Sequence, residues 1–178
     1  METLTLPNDV LLGEVSGMLR EGKRVVIRTK GNSMLPFIRG DRDSVELVMA
    51  DDVSAGDVVL AYLPDRRYVL HRVIGIDAGR VTLMGDGNIA GTECCSLDAL
   101  CGKVTCIVRE NGDRVDCQNT KYLRRVRMWR RLKPMRRYLL AIYRRVAYVN
   151  EDMLPFRTKR KLNRDDRVRF AEILYRFV

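Results

Sequence analysis

The sequence predicts a mainly β fold: a coiled antiparallel sheet or partial barrel, preceded by a short helix and followed by a basic helical extension. Three observations carry this. Between Arg24 and about Val115, short β-branched runs alternate with turn dipeptides at the spacing of an all-β domain. Ahead of them lies one amphipathic run at helical period, and beyond Asn119-Thr120 the composition turns abruptly basic. The 178 residues therefore divide into a helix within 1–23, a β domain over 24–119 and an extension over 120–178. That length suits one ordinary domain with an appendage, and a large multidomain machine is not expected.

The helix is expected over residues 8–20. Asn8 and Asp9 are suitable caps, and Val10, Leu11, Leu12, Val15, Met18 and Leu19 follow at roughly helical spacing. The strands are then read as Val25-Val26-Ile27, Ser44 to Val48, Asp57 to Tyr62, Tyr68 to Ile76, Arg80 to Met84 and Gly102 to Val108. Gly40-Asp41, Ala55-Gly56-Asp57, Pro64-Asp65, Asp77-Ala78-Gly79 and Asn111-Gly112-Asp113 supply the turns between them. After the sheet, Leu123, Val126, Trp129, Leu132, Leu139, Ile142, Tyr143 and Val146 form an apolar stripe. Pro134 interrupts it, so two consecutive basic helices are expected. A third is expected from about Asn163 to Phe177, capped by Asn163, with Asp165 and Asp166 complementing its N-terminal dipole.

Composition is that of a folded chain, with 46% hydrophobic and 31% charged residues. The net charge of +10 is unevenly spread. Residues 1–119 hold 14 Lys and Arg against 18 Asp and Glu, whereas 120–178 hold 19 against 5. Any argument for a polyanionic partner therefore rests on the extension alone. Cys94, Cys95, Cys101, Cys106 and Cys117 are an odd set without the paired C-x-x-C spacing of a zinc or redox site, so free thiols in a reducing compartment are expected. No metal or cofactor site is read. The first residues lack the basic and apolar regions of a secretory signal, and no run approaches the roughly 18 apolar residues that span a bilayer. A soluble or peripheral, cytoplasmic or membrane-surface protein is expected.

Three segments carry candidate chemistry: Gly31-Asn32-Ser33-Met34-Leu35-Pro36 with a trailing Gly40-Asp41, Val69-Leu70-His71-Arg72-Val73-Ile74-Gly75, and Met84-Gly85-Asp86-Gly87-Asn88. A serine hydroxyl attacks a peptide carbonyl only beside a positioned base. An imidazole, with an unperturbed pKa of about 6.5, serves without the desolvation that a catalytic lysine needs. His71 is the sole histidine of the chain.

In these boxes the sequence resembles the signal peptidase I and autocleaving-repressor superfamily of serine peptidases, over about residues 24–110. The first segment looks like its nucleophile box, the second resembles the strand that bears the base, and the third is similar to the Gly-Asp-x-Asn box that closes the site. A lysine base is the commoner arrangement there; histidine at 71 resembles the Ser-His branch found in archaeal, endoplasmic-reticulum and some Gram-positive signal peptidases. The resemblance implies Ser33 as nucleophile, His71 as general base, and the Ser33 backbone amide as an oxyanion donor. It also implies Asp41 as a support of the nucleophile loop. Lysine-type members often add a hydroxyl two residues before the nucleophile, where this chain has Gly31, a residue suited to the bend that exposes Ser33. In the Ser-His branch a second aspartate typically follows the Gly-Asp box by six residues; here Thr92 stands there, with Glu93 next to it. Asp86 is the first candidate for the carboxylate that orients His71, and Glu93 the second. Met34 and Pro36, with Phe37 and Ile38, either line a shallow substrate pocket or belong to the core.

The implied substrate is a signal or leader segment of another polypeptide, held in extended form along a strand. For the extension, three readings stand. Its arginines form a solvated face, or residues 121–149 bind an anionic membrane surface, or they bind nucleic acid or acidic peptide with Trp129, Tyr138, Tyr143 or Tyr148 stacking. No helix-turn-helix pattern is present, so DNA is not an expected partner. The rival to the peptidase is a superfamily member with little or no turnover, acting as a binding module through these helices.

Overall fold

The computed structural model describes residues 8–149. The helix expected between about Asn163 and Phe177 lies outside the described residues. Two compact units divide between Leu123 and Arg124.

The first unit opens with α1 (Asn8–Arg20). Its end is set by Gly22 at φ 75°, whose N–H reaches Leu19 O at 2.9 Å while Lys23 N–H reaches Met18 O at 3.0 Å. This paired closure satisfies carbonyls that the helix would otherwise leave open. Val15, Ser16 and Leu19 form the buried face, and Val10, Leu11 and Met18 of the expected apolar set are exposed.

Eight strands follow: β1 (Val25–Arg28), β2 (Ser44–Val48), β3 (Val58–Tyr62), β4 (Tyr68–Asp77), β5 (Arg80–Met84), β6 (Glu93–Ser96), β7 (Leu100–Val108) and β8 (Arg114–Asp116). They form one curled antiparallel sheet, ordered β1-β2-β7-β3-β4-β5-β6, with β8 paired to β7. The mainly β prediction holds, and six strands stand where the β-branched runs lie. β6 and β8 go beyond the expectation; β6, Glu93-Cys94-Cys95-Ser96, has no β-branched residue to announce it. The β4–β5 turn has Ala78 and Gly79 at φ 45° and 79°, the twin positive angles that match a tight hairpin to the strands' twist.

One core cluster joins Val59, Ala61 and Leu63 of β3 and its turn, Val69 and Val73 of β4, Val81 and Leu83 of β5, and Cys95 of β6. Alternation puts side chains two apart on one face, so His71 lies between Val69 and Val73 on this core face, and Arg72 points to the other. Both are buried.

In the second unit α2 (Thr120–Arg131), which starts in the first, is followed by a 3₁₀ turn Lys133–Met135 and by α3 (Arg136–Val149). Pro134 stands in that turn, where its missing N–H costs no helical hydrogen bond.

Candidate active site

The site begins with the loop between β1 and β2. Its base is closed by backbone pairs, Thr29 N–H to Asp43 O at 3.1 Å and Asp41 N–H to Thr29 O at 2.8 Å, and by Thr29 Oγ1 to Asp43 O at 2.8 Å. Asp41 adopts φ 64°, a left-handed position that aspartate tolerates, and its carbonyl accepts from Arg28 Nε at 3.1 Å. Asp41 thus supports the loop through its backbone. The buried anchor is Asp43, a residue outside the three sequence boxes. Its carboxylate, fully buried, accepts from Arg39 N–H at 2.8 Å, Arg39 Nη2 at 2.9 Å and Arg109 Nη1 at 2.5 Å. Arg109 Nη1 also donates to Phe37 O at 2.9 Å. Burial pushes the Asp43 pKa up, but the hydrogen bonds from Arg39 and the charge of Arg109 outweigh it, and the net direction is down.

Within this loop Gly31 takes φ 75°, and Gly40 passes so close that a Cβ there would lie 1.8 Å from Gly31 O. The bend ahead of Ser33 therefore requires glycine on both sides. Ser33 is half-buried. The next residues coil into a turn, with Ile38 N–H donating to Met34 O at 3.0 Å. Met34, Phe37 and Ile38 are buried and Pro36 is half-buried, so Met34 serves chiefly as core and Pro36 is the one with surface to offer a substrate.

The turn after β5 meets this loop. Gly87 N–H donates to Ser33 O at 2.7 Å. A Cβ at Gly85 would stand 2.5 Å from Ser33 O, and one at Gly87 2.5 Å from Asn32 O. Both glycines exist to let two backbones touch. Because Arg72 pairs with Met84 across β4 and β5, His71 lies next to the register position of Gly85. The fold thus brings the Ser33 loop to the strand position beside His71 through the Gly85–Asn88 turn. Among the described residues no hydrogen bond joins Ser33 Oγ to His71.

The acid beside His71 is Glu93. β6 sets Glu93 opposite Leu83, and β5 sets Leu83 opposite Val73, so Glu93 shares the face of His71. His71 Nδ1 and Glu93 Oε2 are 3.0 Å apart. Asp86, expected first for this role, instead binds Arg72: Nε to Oδ1 at 2.9 Å and Nη2 to Oδ2 at 2.6 Å. The physical reason is alternation along β4, which turns the guanidinium next to His71 toward the opposite face, where the Asp86 carboxylate neutralises it. Arg72 is 1% exposed. Burial opposes its charge, but Asp86 and the Tyr122 hydroxyl outweigh that and hold it protonated.

Arg72 has no role among the sequence expectations, although a charged residue inside the apolar run Val69 to Ile76 is a signal that marks it. Its remaining contacts are Gly56 O at 2.5 Å, Tyr122 Oη at 3.2 Å and the face of Phe37, 5.2 Å from the ring centroid. The five cysteines are free thiols. Burial pushes the Cys117 thiol up to about 12, which leaves it protonated and without nucleophilic character near neutrality. Among the described residues no group of three His, Cys, Asp or Glu side chains could hold a metal ion, and no helix is long and apolar enough to cross a membrane.

No protein-family model matches the chain, and a comparison with curated proteins finds no match.

Proposed function

We propose that the chain is a serine endopeptidase that removes signal or leader segments from polypeptide precursors, with a signal-peptidase-like β domain and the dyad Ser33 and His71. The observation that carries this reading is the imidazole–carboxylate pair His71–Glu93 at the strand position next to the turn that holds Ser33 by its carbonyl. With Nδ1–H donated to Glu93, Nε2 is left as the basic nitrogen. Nε2 takes the Ser33 proton as Oγ adds to the scissile carbonyl, and the Ser33 N–H faces the oxyanion. The imidazolium returns that proton to the leaving amine, giving an acyl-serine; water, deprotonated by the same nitrogen, then releases the N-terminal fragment as a carboxylate and restores Ser33. An oxyanion donor of this kind contributes about two to three orders of magnitude. Glu93 orients the ring and offsets the imidazolium charge. Asp86 acts through Arg72, supporting the turn rather than moving protons.

The extension suits an anionic lipid surface. From the 3₁₀ turn into its second helix, Met135, Tyr138 and Ile142 stand exposed at i, i+3 and i+7, flanked by exposed Arg137, Arg144 and Arg145. An apolar stripe bordered by arginines is the pattern of an interfacial helix.

The test is mass spectrometry of a pool of leader-like and signal-like peptides incubated with wild type, Ser33→Ala and His71→Ala, with and without vesicles containing phosphatidylserine. Cleavage that disappears in both variants is expected. Equal cleavage by all three proteins rules out the dyad, and intact peptides throughout leave the rival, a non-catalytic binding module, as the better reading.

A further inference from the structure

We propose that Tyr122 is a positioning residue of the site, so that the first turn of α2 completes the peptidase. The inference rests on the peptidase reading and concerns a residue outside all three sequence boxes. The chain delivers Tyr122 in a fixed place. Cys117 N–H is tied to Thr105 O at 2.9 Å, Asp116 Oδ1 accepts Gln118 N–H at 2.8 Å, and Asn119 caps the new helix by accepting Lys121 N–H at 2.9 Å and Leu123 N–H at 3.0 Å. Tyr122 is consequently buried, 5% exposed.

Its ring and its hydroxyl each hold a different half of the site. The ring packs edge-on to Phe37 of the nucleophile loop, with centroids 5.7 Å apart and planes at 76°. The hydroxyl accepts from Arg72 Nη2 at 3.2 Å, and Arg72 in turn sits 5.2 Å from the Phe37 centroid and 5.9 Å from that of Tyr122. Asp86 takes Nε–H and one Nη2 hydrogen of this guanidinium, and Gly56 O takes an Nη1 hydrogen. The second Nη2 hydrogen falls to Tyr122. Asp86 belongs to the turn whose Gly87 N–H holds Ser33 O, and Arg72 is the chain neighbour of His71. One buried cation, clamped between Phe37 and Tyr122, therefore relates the loop of the nucleophile to the strand of the base.

A phenylalanine at 122 would keep the ring and leave a buried N–H of Arg72 without an acceptor. The guanidinium then turns toward its remaining partners, and the Asp86 turn moves with it. The experiment compares full-length wild type and Tyr122→Phe, well below their unfolding temperatures, for peptide cleavage, for the labelling rate of Ser33 by a fluorophosphonate, and for NMR signals of the single histidine and the Ser33 amide. The expected result is kcat and labelling reduced about tenfold with KM within about twofold, and shifted His71 and Ser33 signals although neither is a hydrogen-bond or ring partner of Tyr122. Tyr122→Leu, which also removes the edge contact with Phe37, should go further in the same direction. Unchanged kcat and unchanged His71 and Ser33 signals in a folded Tyr122→Phe overturn the proposal. If the wild type shows no Ser33-dependent cleavage or labelling, the peptidase reading falls, and the NMR signals still decide the positioning: shifted signals uphold it and unshifted signals refute it.

Discussion

At the scale of single residues, the two acids near His71 and Arg72 have separable duties. Glu93 is partly exposed and holds Nδ1, so Glu93→Gln should fold normally while presenting the imidazole with an amide that no longer offsets its charge. A loss of about a hundredfold or more in kcat with nearly constant KM is expected, read from steady-state cleavage kinetics. Asp86→Asn removes the counter-ion of a fully buried guanidinium. Breaking such a pair typically costs about 3–5 kcal/mol, so this variant should show its principal defect in denaturant unfolding. Should Asp86→Asn prove as stable as wild type while Glu93→Gln retains full kcat, the assignment of the two acids would have to be exchanged. The residue scale is also where the sequence was least informative. Both acids were visible as candidates near the Gly-Asp box, but choosing between them needs the register of β6, and nothing in Glu-Cys-Cys-Ser declares a strand.

Among the elements, the Ser33 loop between β1 and β2 is fixed by close backbone contact and by buried charge. Gly87→Ala puts a Cβ 2.5 Å from Asn32 O, against backbone that cannot rotate away. Cleavage should drop at least tenfold and the thermal midpoint should fall; activity equal to wild type would show that the two backbones separate freely. Asp43 links the loop to pH. Its folded-state pKa lies below its ordinary value near 3.8, so ionised Asp43 contributes stability that is fully present above that value and is lost as the pH falls through the folded pKa. Denaturant midpoints measured from pH 6 to pH 2 should therefore decline below about pH 4 in wild type, and decline less steeply in Asp43→Asn. The six strands were legible because β-branched runs and glycine turns are local signals. The anchoring of the loop was not, since Asp43 and Arg109 stand 66 residues apart and meet only when β2 pairs with β7. For the same reason the boxes could suggest Ser33 and His71, whereas Arg72 and Tyr122, joined across 50 residues, gave no joint signal.

At the scale of the whole molecule, charge separates the extension from the sheet. The region 121–149 holds 11 Lys and Arg and no acid. Beyond Thr120 the exposed side chains of α2 are basic, Lys121, Arg124, Arg127, Arg130 and Arg131, whereas the 3₁₀ turn and α3 add the apolar stripe Met135, Tyr138 and Ile142. The two helices therefore make different predictions for the proposed lipid surface. Near an anionic leaflet each basic residue contributes roughly 1 kcal/mol, a contribution that fades as the screening length shrinks from about 10 Å at 0.1 M salt to about 3 Å at 1 M. Insertion of the apolar stripe does not fade in that way. Vesicles containing phosphatidylserine should thus bind the full-length protein at low salt and release most of it at 1 M. The triple variant Met135→Ser, Tyr138→Ser, Ile142→Ser should bind more weakly at every salt concentration, because its apolar contacts are gone while its charge is unchanged. Flotation assays read both effects. Binding that is salt-sensitive yet indifferent to the triple change would mean that arginines alone make the contact, as a nucleic acid or acidic peptide would require, and would withdraw the lipid surface from the proposal while leaving the Ser33–His71 chemistry to stand on its own test.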